Sequence, residues 1–223
     1  MRDLPAGCST GRQNVYTSER HSLTPDLLVM AYRAGFFPMA ESREGPLAWF
    51  SPDPRAIIPL ESFRISRSLR RVLQKGTFTV RMDCAFEQVI RACAEREETW
   101  ISEEIVEAYS ALHTRGLAHS VECWQGDQLA GGLYGVAIGG AFFGESMFSR
   151  TRDASKVALV HLVTRLRARG YLLLDTQFLT PHLARFGALE IPRARYIALL
   201  RKAVTAVTCF TDPSAPLSQE VRE

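Results

Sequence analysis

The sequence predicts an α+β fold in which a mixed β-sheet is flanked by helices and preceded by a small N-terminal domain. Apolar residues recur at helical spacing in some segments and with period two in others, and the two kinds follow one another along most of the chain. Gly126-Asp127 and Gly139-Gly140 are hairpin turn signals that divide the middle of the chain into a three-strand meander. A Pro-rich stretch, Phe37-Pro38 through Trp49-Phe50-Ser51-Pro52-Asp53-Pro54-Arg55, separates one early helix from everything that follows. With 223 residues, 46% of them hydrophobic, the chain can bury a real core in one medium domain and carry an appendage.

Residues 1 to about 22 are polar and lack hydrophobic periodicity, which predicts a loosely held arm. Thr24 as N-cap, Pro25 and Asp26 open a helix whose apolar positions are Leu27, Leu28, Ala31 and Tyr32, and Gly35 ends it. The Pro-rich stretch that follows is extended and turn-rich. The domain boundary falls there, giving a small domain over 1–52 and a main domain over 53–223. The main domain reads first as a helix from Ser66 to Lys75, stopped by Gly76, and a strand from Phe78 to Met82. Two helices come next, Ala85 to Ala94 capped by Asp83, and Glu103 to Arg115 capped by Ser102 and stopped by Gly116. The meander strands are Ala118 to Trp124, Gln128 to Ile138 and Ala141 to Phe148. The chain then alternates: helix Asp153 to Arg169, strand Tyr171 to Phe178, helix Pro181 to Phe186 behind Thr180, strand Ala188 to Ile191, and a last helix through Tyr196 to Val204. Strand, two helices, three-strand meander, helix, strand, helix, strand is the element order of the N-acetyltransferase-like (GNAT) fold.

A net charge of +3 and a pI near 8.7 are only mildly basic, so a nucleic-acid partner has to be met by local patches. Cys8, Cys84, Cys93, Cys123 and Cys209 form no C-x-x-C pair and read as buried reduced thiols. The N-terminus lacks an apolar leader, and the longest uncharged run, Gln128 to Gly144, is short of the about 20 residues that a spanning helix needs. These features predict a soluble cytoplasmic protein with no membrane partner.

Chemistry concentrates in two places. Gly144-Glu145-Ser146-Met147-Phe148-Ser149-Arg150 puts a lone carboxylate inside an apolar strand, and Arg150, Arg152 and Lys156 then gather at the positive end of the next helix. Cations there predict an anionic partner, most simply phosphate. In Leu172-Leu173-Leu174-Asp175-Thr176-Gln177-Phe178 the period of two puts Asp175 and Gln177 on one face near the carboxyl end of a strand. A carboxylate behind three leucines is desolvated and suited to accept a proton or orient an amine, in which case neutralising it costs rate rather than stability. A hydrogen-bonded partner closing the strand end explains the same residues, and Glu145 admits the same two readings.

Trp124 lies in a strand and reads as core, whereas Trp49 and Trp100 sit beside loop signals where an indole either stacks on a nucleobase or anchors the loop. Arg64, Arg67, Arg70, Arg71 and Lys75 place five cations in twelve residues along one helix, a face that either tracks a phosphate backbone or is simply solvated. The histidines show no metal-ligand spacing and no Gly-x-Ser-x-Gly occurs, so neither a metal site nor a serine hydrolase is expected. An acetyl-CoA enzyme of this fold has a Gly-rich pyrophosphate loop where this chain has Ser149-Arg150-Thr151-Arg152-Asp153-Ala154-Ser155-Lys156, which contains no glycine. The pattern fits an acyltransferase whose donor is not CoA. A CoA-dependent N-acetyltransferase and a non-catalytic tRNA-binding module are the rival readings.

Several of these runs, in this order, resemble the bacterial leucyl/phenylalanyl-tRNA-protein transferases. They are Trp49 to Arg55, Ser66-Arg67-Ser68-Leu69, Thr99-Trp100-Ile101, Ala118-His119-Ser120-Val121-Glu122, Gly131 to Val136, Gly144 to Arg150 with Ala154-Ser155-Lys156, and Glu190-Ile191-Pro192-Arg193. The resemblance covers about residues 24 to 200. It implies transfer of Leu, Phe or Met from aminoacyl-tRNA to proteins with an N-terminal Lys or Arg, making an N-degron, without metal or other cofactor and as a monomer. It also implies that Asp175 and Gln177 assist attack by the amine, with Glu145 beside them. Phe142, Met147, Leu159, Leu162, Leu166 and Leu174 then line the donor side-chain pocket, and Trp100 faces the terminal adenosine with Trp49 and Met39. Arg64, Arg67, Arg70, Arg71, Arg150, Arg152 and Lys156 hold the acceptor-stem phosphates. The chain departs from the family pattern at Arg20-His21-Ser22-Leu23, at Met39, where soft contact replaces a ring face, and at Thr176, a small change beside the acid.

Overall fold

The computed structural model describes residues 13–17, 23–40, 42, 43, 45–97 and 99–211. Cys8, His21 and the altered run at 20–22 lie outside them. Strand β1 (Gln13–Thr17) and helix α1 (Pro25–Arg33) are followed by β2 (Phe37–Ala40), β3 (Leu47–Pro52) and β4 (Arg55–Ile58). Next come α2 (Arg67–Gln74), β5 (Thr79–Met82), α3 (Phe86–Ala94), α4 (Glu103–Thr114), β6 (Ala118–Gln125), β7 (Gln128–Ile138) and β8 (Ala141–Ser149). The chain ends in α5 (Ala154–Ala168), β9 (Leu173–Gln177), α6 (Pro181–Ala184), β10 (Leu189–Ile191) and α7 (Arg193–Ala203).

Local chemistry explains most boundaries. The hydroxyls of Thr24, Ser66, Ser102 and Thr180 accept from the third residue of the helices they open, satisfying backbone N–H groups that have no partner within the helix. Gly126 and Gly139 take φ of +57° and +55° in the two hairpin turns, where a side chain would be strained.

Three expectations need correction. Gln13–Thr17 belongs to the expected loose arm but pairs antiparallel with β3, because an open strand edge supplies backbone partners that need no apolar pattern. Asp83 does not cap α3. Its carboxylate turns to the Ser120 N–H and the His119 ring, while Glu122, from β6, accepts from the N–H groups of Cys84 and Ala85 at 3.0 Å each. The favourable carboxylate at the helix's positive end thus comes from a residue distant in sequence. Among the described cysteines only Cys93 and Cys123 are buried, since Cys84, between β5 and α3, and Cys209, after α7, lie exposed in connecting segments.

Seven strands form the main sheet in the order β10-β4-β9-β8-β7-β6-β5, antiparallel throughout except for the parallel β8–β9 pair. The architecture is therefore α+β with a mixed sheet. One apolar layer packs α1, α3, α4 and α7 against one face, and a second packs α2 and α5 against the other. The small sheet β1-β3-β2 feeds Phe37, Ala40 and Trp49 into the first layer, together with Leu28 and Tyr32 of α1. None of the described helices is long and apolar enough to cross a membrane.

Candidate active site

Pairing of β8 with β9 runs from Ala141↔Leu173 to Phe143↔Asp175, after which β8 continues to Ser149 and β9 to Gln177. The carboxyl ends of two parallel strands thus part, the position at which sheets of this kind hold ligands. Glu145 and Gln177 lie at this opening, with Asp175 at the last paired position behind them.

Glu145 is aimed there by a β-bulge. Tyr134 pairs with Ser146 and Gly135 with Gly144, leaving Glu145 as the extra residue. Gly135 makes the bulge possible, because a Cβ there would meet the Phe143 carbonyl at 2.3 Å. The Glu145 carboxyl accepts from the Tyr32 hydroxyl (2.8 Å), the Gln177 side-chain amide (3.0 Å) and the Tyr109 hydroxyl (3.3 Å). The two tyrosine hydroxyls also bond to each other. Burial pushes the Glu145 carboxyl up to about 8, aided by the nearby Asp175 charge. The tyrosine hydrogen bonds and Arg55 pull the other way.

Asp175 is wholly buried and its four acceptor positions are taken. Oδ1 accepts from Arg55 Nε and the Gln177 backbone N–H, both at 2.9 Å, and Oδ2 from Arg55 Nη2 at 2.6 Å and the Tyr196 hydroxyl at 2.8 Å. Arg55, itself 1% exposed, lies between the rings of Phe37 and Tyr196, 4.6 Å from each centroid, and donates to the Gly35 carbonyl. Burial opposes its charge, but Asp175, Tyr196 and Glu145 together outweigh that and hold the guanidinium above its ordinary value. The strand pattern suggested an acid open to an amine, whereas the structure places Asp175 behind the site as the partner of Arg55 and Tyr196. Gln177 follows at φ +60°, inside a three-residue turn closed by the Phe178 N–H on the Thr176 carbonyl, and this turn swings its amide onto Glu145.

The other expected site residues divide. Phe142, Leu159, Leu162, Leu166 and Leu174 are buried together in the second apolar layer, and half-buried Met147 packs on it and lines a cleft of about 430 Å³ with Ser155 and His182. Trp100 and Met39 pack, partly exposed, against the first layer. Trp49 does not present an exposed indole. The β3 register puts it between Tyr16 and Pro38, and it is buried in the first layer. Trp124 is core as expected.

Arg150 reaches Glu95 at 2.7 Å and Lys156 reaches Asp153 at 2.5 Å, so the anions beside these helix-start cations are carboxylates of this chain. Arg152 is exposed near Asp153. On and before α2, Arg64, Arg67, Arg70 and Arg71 are exposed and, among the described residues, form no ion pair. Phe63 stacks on Phe186 at 5.5 Å, which docks the start of this basic segment beside α6, just past the end of β9.

Sequence reasoning missed Arg55, Tyr32, Tyr109 and Tyr196. A signal for Arg55 existed. It opens the apolar run Arg55-Ala56-Ile57-Ile58 as Asp175 closes its own, and two opposite charges in apolar strands call for each other. The tyrosines occupy ordinary helix positions, and nothing in their spacing separates them from core aromatics.

An acid, a carboxamide and paired hydroxyls thus gather where the carboxyl ends of β8 and β9 part. Residues 57–201 match the family model described as leucyl/phenylalanyl-tRNA protein transferase, and residues 21–53 match the model of that family's N-terminal domain. A leucyl/phenylalanyl-tRNA–protein transferase of Herpetosiphon aurantiacus is 59% identical over 189 residues, covering 84% of this chain and 98% of the relative. Its namesake in Rubrobacter xylanophilus is 61% identical with the same coverage, and that of Paramagnetospirillum magneticum is 56% identical over 204 residues, covering 89% of this chain and 97% of the relative. The chain belongs to the leucyl/phenylalanyl-tRNA–protein transferase family.

Proposed function

We propose that this protein moves Leu, Phe or Met from aminoacyl-tRNA to the α-amino group of a protein beginning with Lys or Arg, forming a peptide bond and an N-degron. It acts as a cytoplasmic monomer, on a GNAT-like scaffold over 53–223 completed by the small domain over 1–52, and needs neither CoA nor metal. The observation that carries the reading is the Glu145–Gln177 pair at the open end of β8 and β9. An aminoacyl ester is already activated, and an α-amino group with a pKa of about 7.7 to 8.0 is partly neutral at cytoplasmic pH. Gln177 therefore serves chiefly to orient the amine beside Glu145, and Asp175 acts by fixing Gln177 through its backbone N–H. The donor side chain enters at Met147 toward Phe142, Leu159, Leu162, Leu166 and Leu174, and Trp100 and Met39 face the terminal adenosine.

The β8–α5 loop argues against CoA. The N–H groups of Arg150 and Thr151 both donate to the Ala130 carbonyl and that of Ser155 to the Ser149 hydroxyl, so these donors are occupied within the chain rather than free to cradle a pyrophosphate. Incubation of a peptide starting with Arg with charged Leu-tRNA or Phe-tRNA is expected to add one residue to its mass, and incubation with acetyl-CoA to leave it unchanged. Acetylation at comparable efficiency would overturn the assignment.

Arg64, Arg67, Arg70 and Arg71 are the cations free for acceptor-stem phosphates, with Arg152 beyond them, while Arg150 and Lys156 must first leave their carboxylates. Replacing Arg67 and Arg70 together with Ala is expected to weaken tRNA binding and lower its logarithmic salt slope by about one unit per lost contact. Filter binding between 50 and 200 mM salt checks this, and an unchanged slope would return α2 to a solvated face.

A further inference from the structure

Nothing in the family assignment says where the proton of the attacking amine goes. We propose that Glu145 takes it and returns it to the departing 3′ oxygen of the tRNA, with Tyr32 and Tyr109 as the positioning residues that hold Glu145 for the task. This inference rests on the aminoacyl-transfer reading above.

Asp175 is the alternative acceptor, and its geometry rules it out. Both of its oxygens are filled by donors from three elements, and no surface is left for an amine. Glu145 is only half-buried, and its Oε2 holds a single long hydrogen bond, the 3.3 Å contact from Tyr109. A carboxyl group with spare acceptor capacity, fixed from α1, α4 and β9 at the mouth of the strand opening, can meet a substrate nitrogen. In the balanced step the neutral amine attacks the ester carbonyl, the nitrogen–carbon bond forms and the nitrogen passes one proton to the Glu145 carboxylate. The bond from carbon to the 3′ oxygen then breaks, and that oxygen takes the same proton. Nothing is oxidised, and Glu145 ends as it began.

The surroundings keep this titration separate from others. Tyr32, Tyr109, Tyr134 of β7 and Tyr196 of α7 are all raised well above the ordinary tyrosine range by burial first and by neighbouring carboxylates second. Cys93 of α3 is pushed by burial to about 12, and Arg55 stays cationic beside Asp175. Glu145, near 8, is matched to the amine it serves, which favours transfer in both directions.

The test is single-turnover transfer from saturating charged tRNA, measured against pH. In the wild-type protein two groups must lose protons, the amine and Glu145, so below both values the logarithm of the rate is expected to rise with a slope of two. Glu145→Gln keeps the size and removes the acceptor. It is expected to lower the rate roughly 10²-fold, to leave tRNA affinity and melting unchanged, and to reduce the slope to one. Tyr109→Phe removes a donor that favours the ionised carboxyl, so its Glu145 limb is expected to move to higher pH. A Glu145→Gln variant with near wild-type rate and an unchanged slope would overturn the inference while leaving aminoacyl transfer in place. Absence of transfer by the wild-type protein itself would instead defeat the functional reading.

Discussion

Asp175→Ala is expected to melt on the order of 10 °C below the wild-type protein, and Arg55→Ala to do the same. Each variant leaves a full charge buried without its partner, at a cost of about 3–5 kcal/mol, and a domain of this size loses about 2–4 °C per kcal/mol. The pair is 1% and 0% exposed at 2.6 Å, so the remaining charge is left in a site that solvent does not reach in the intact protein. The strand pattern alone led to the opposite order, with activity lost before stability. Exchanging both residues for apolar ones of similar size, Arg55→Met with Asp175→Leu, should recover much of the melting temperature, since a buried pair is a weak source of net stability. Transfer should not recover with it, because the Gln177 N–H then has no Oδ1 to hold its turn. Thermal melts and single-turnover transfer on the three variants check this. A wild-type melting temperature in Asp175→Ala would show that the pair is not closed in solution.

Gly135→Ala is expected to lose about 1–3 kcal/mol of stability through overpacking and roughly 10²-fold in transfer rate, the cost of misplacing a reacting group by about 1 Å. The new Cβ would stand 2.3 Å from the Phe143 carbonyl and 2.5 Å from the Phe142 ring. The ring cannot yield alone, because the closer obstacle is backbone held in the β7–β8 ladder. Relief comes only by shifting the bulge, and Glu145 is its extra residue. By contrast Gly76→Ala, with open space around it but φ of +60°, is expected to bring a smaller stability loss and an unchanged rate. A Gly135→Ala protein that matches the wild type in both melting and transfer would mean that the bulge does not place Glu145.

How much of this was legible in the chain depends on the range of the forces involved. Helix ends, hairpin turns and strand faces depend on neighbours a few residues away, so Thr24 and Ser102 as caps, the helix start behind Thr180, Gly126 and Gly139 as turns, and the whole β6–β8 meander could be read directly. Glu145, Asp175 and Gln177 stood out for the same local reason, as polar groups in apolar strands. β4 could not be read, because four residues behind Pro54 carry too short a pattern, and its place between β9 and β10 is a matter of sheet order. Residue type also left roles undecided among the three polar groups. Only the tertiary structure sealed Asp175 against Arg55, 120 residues away in sequence, and turned Glu145 toward Tyr32 and Tyr109. A buried charge must find its counterpart wherever the fold puts it, whereas a cap or turn finds its partner next door. The sequence by itself therefore determined which groups are chemically conspicuous, and the fold decided which of them is locked away and which faces the opening.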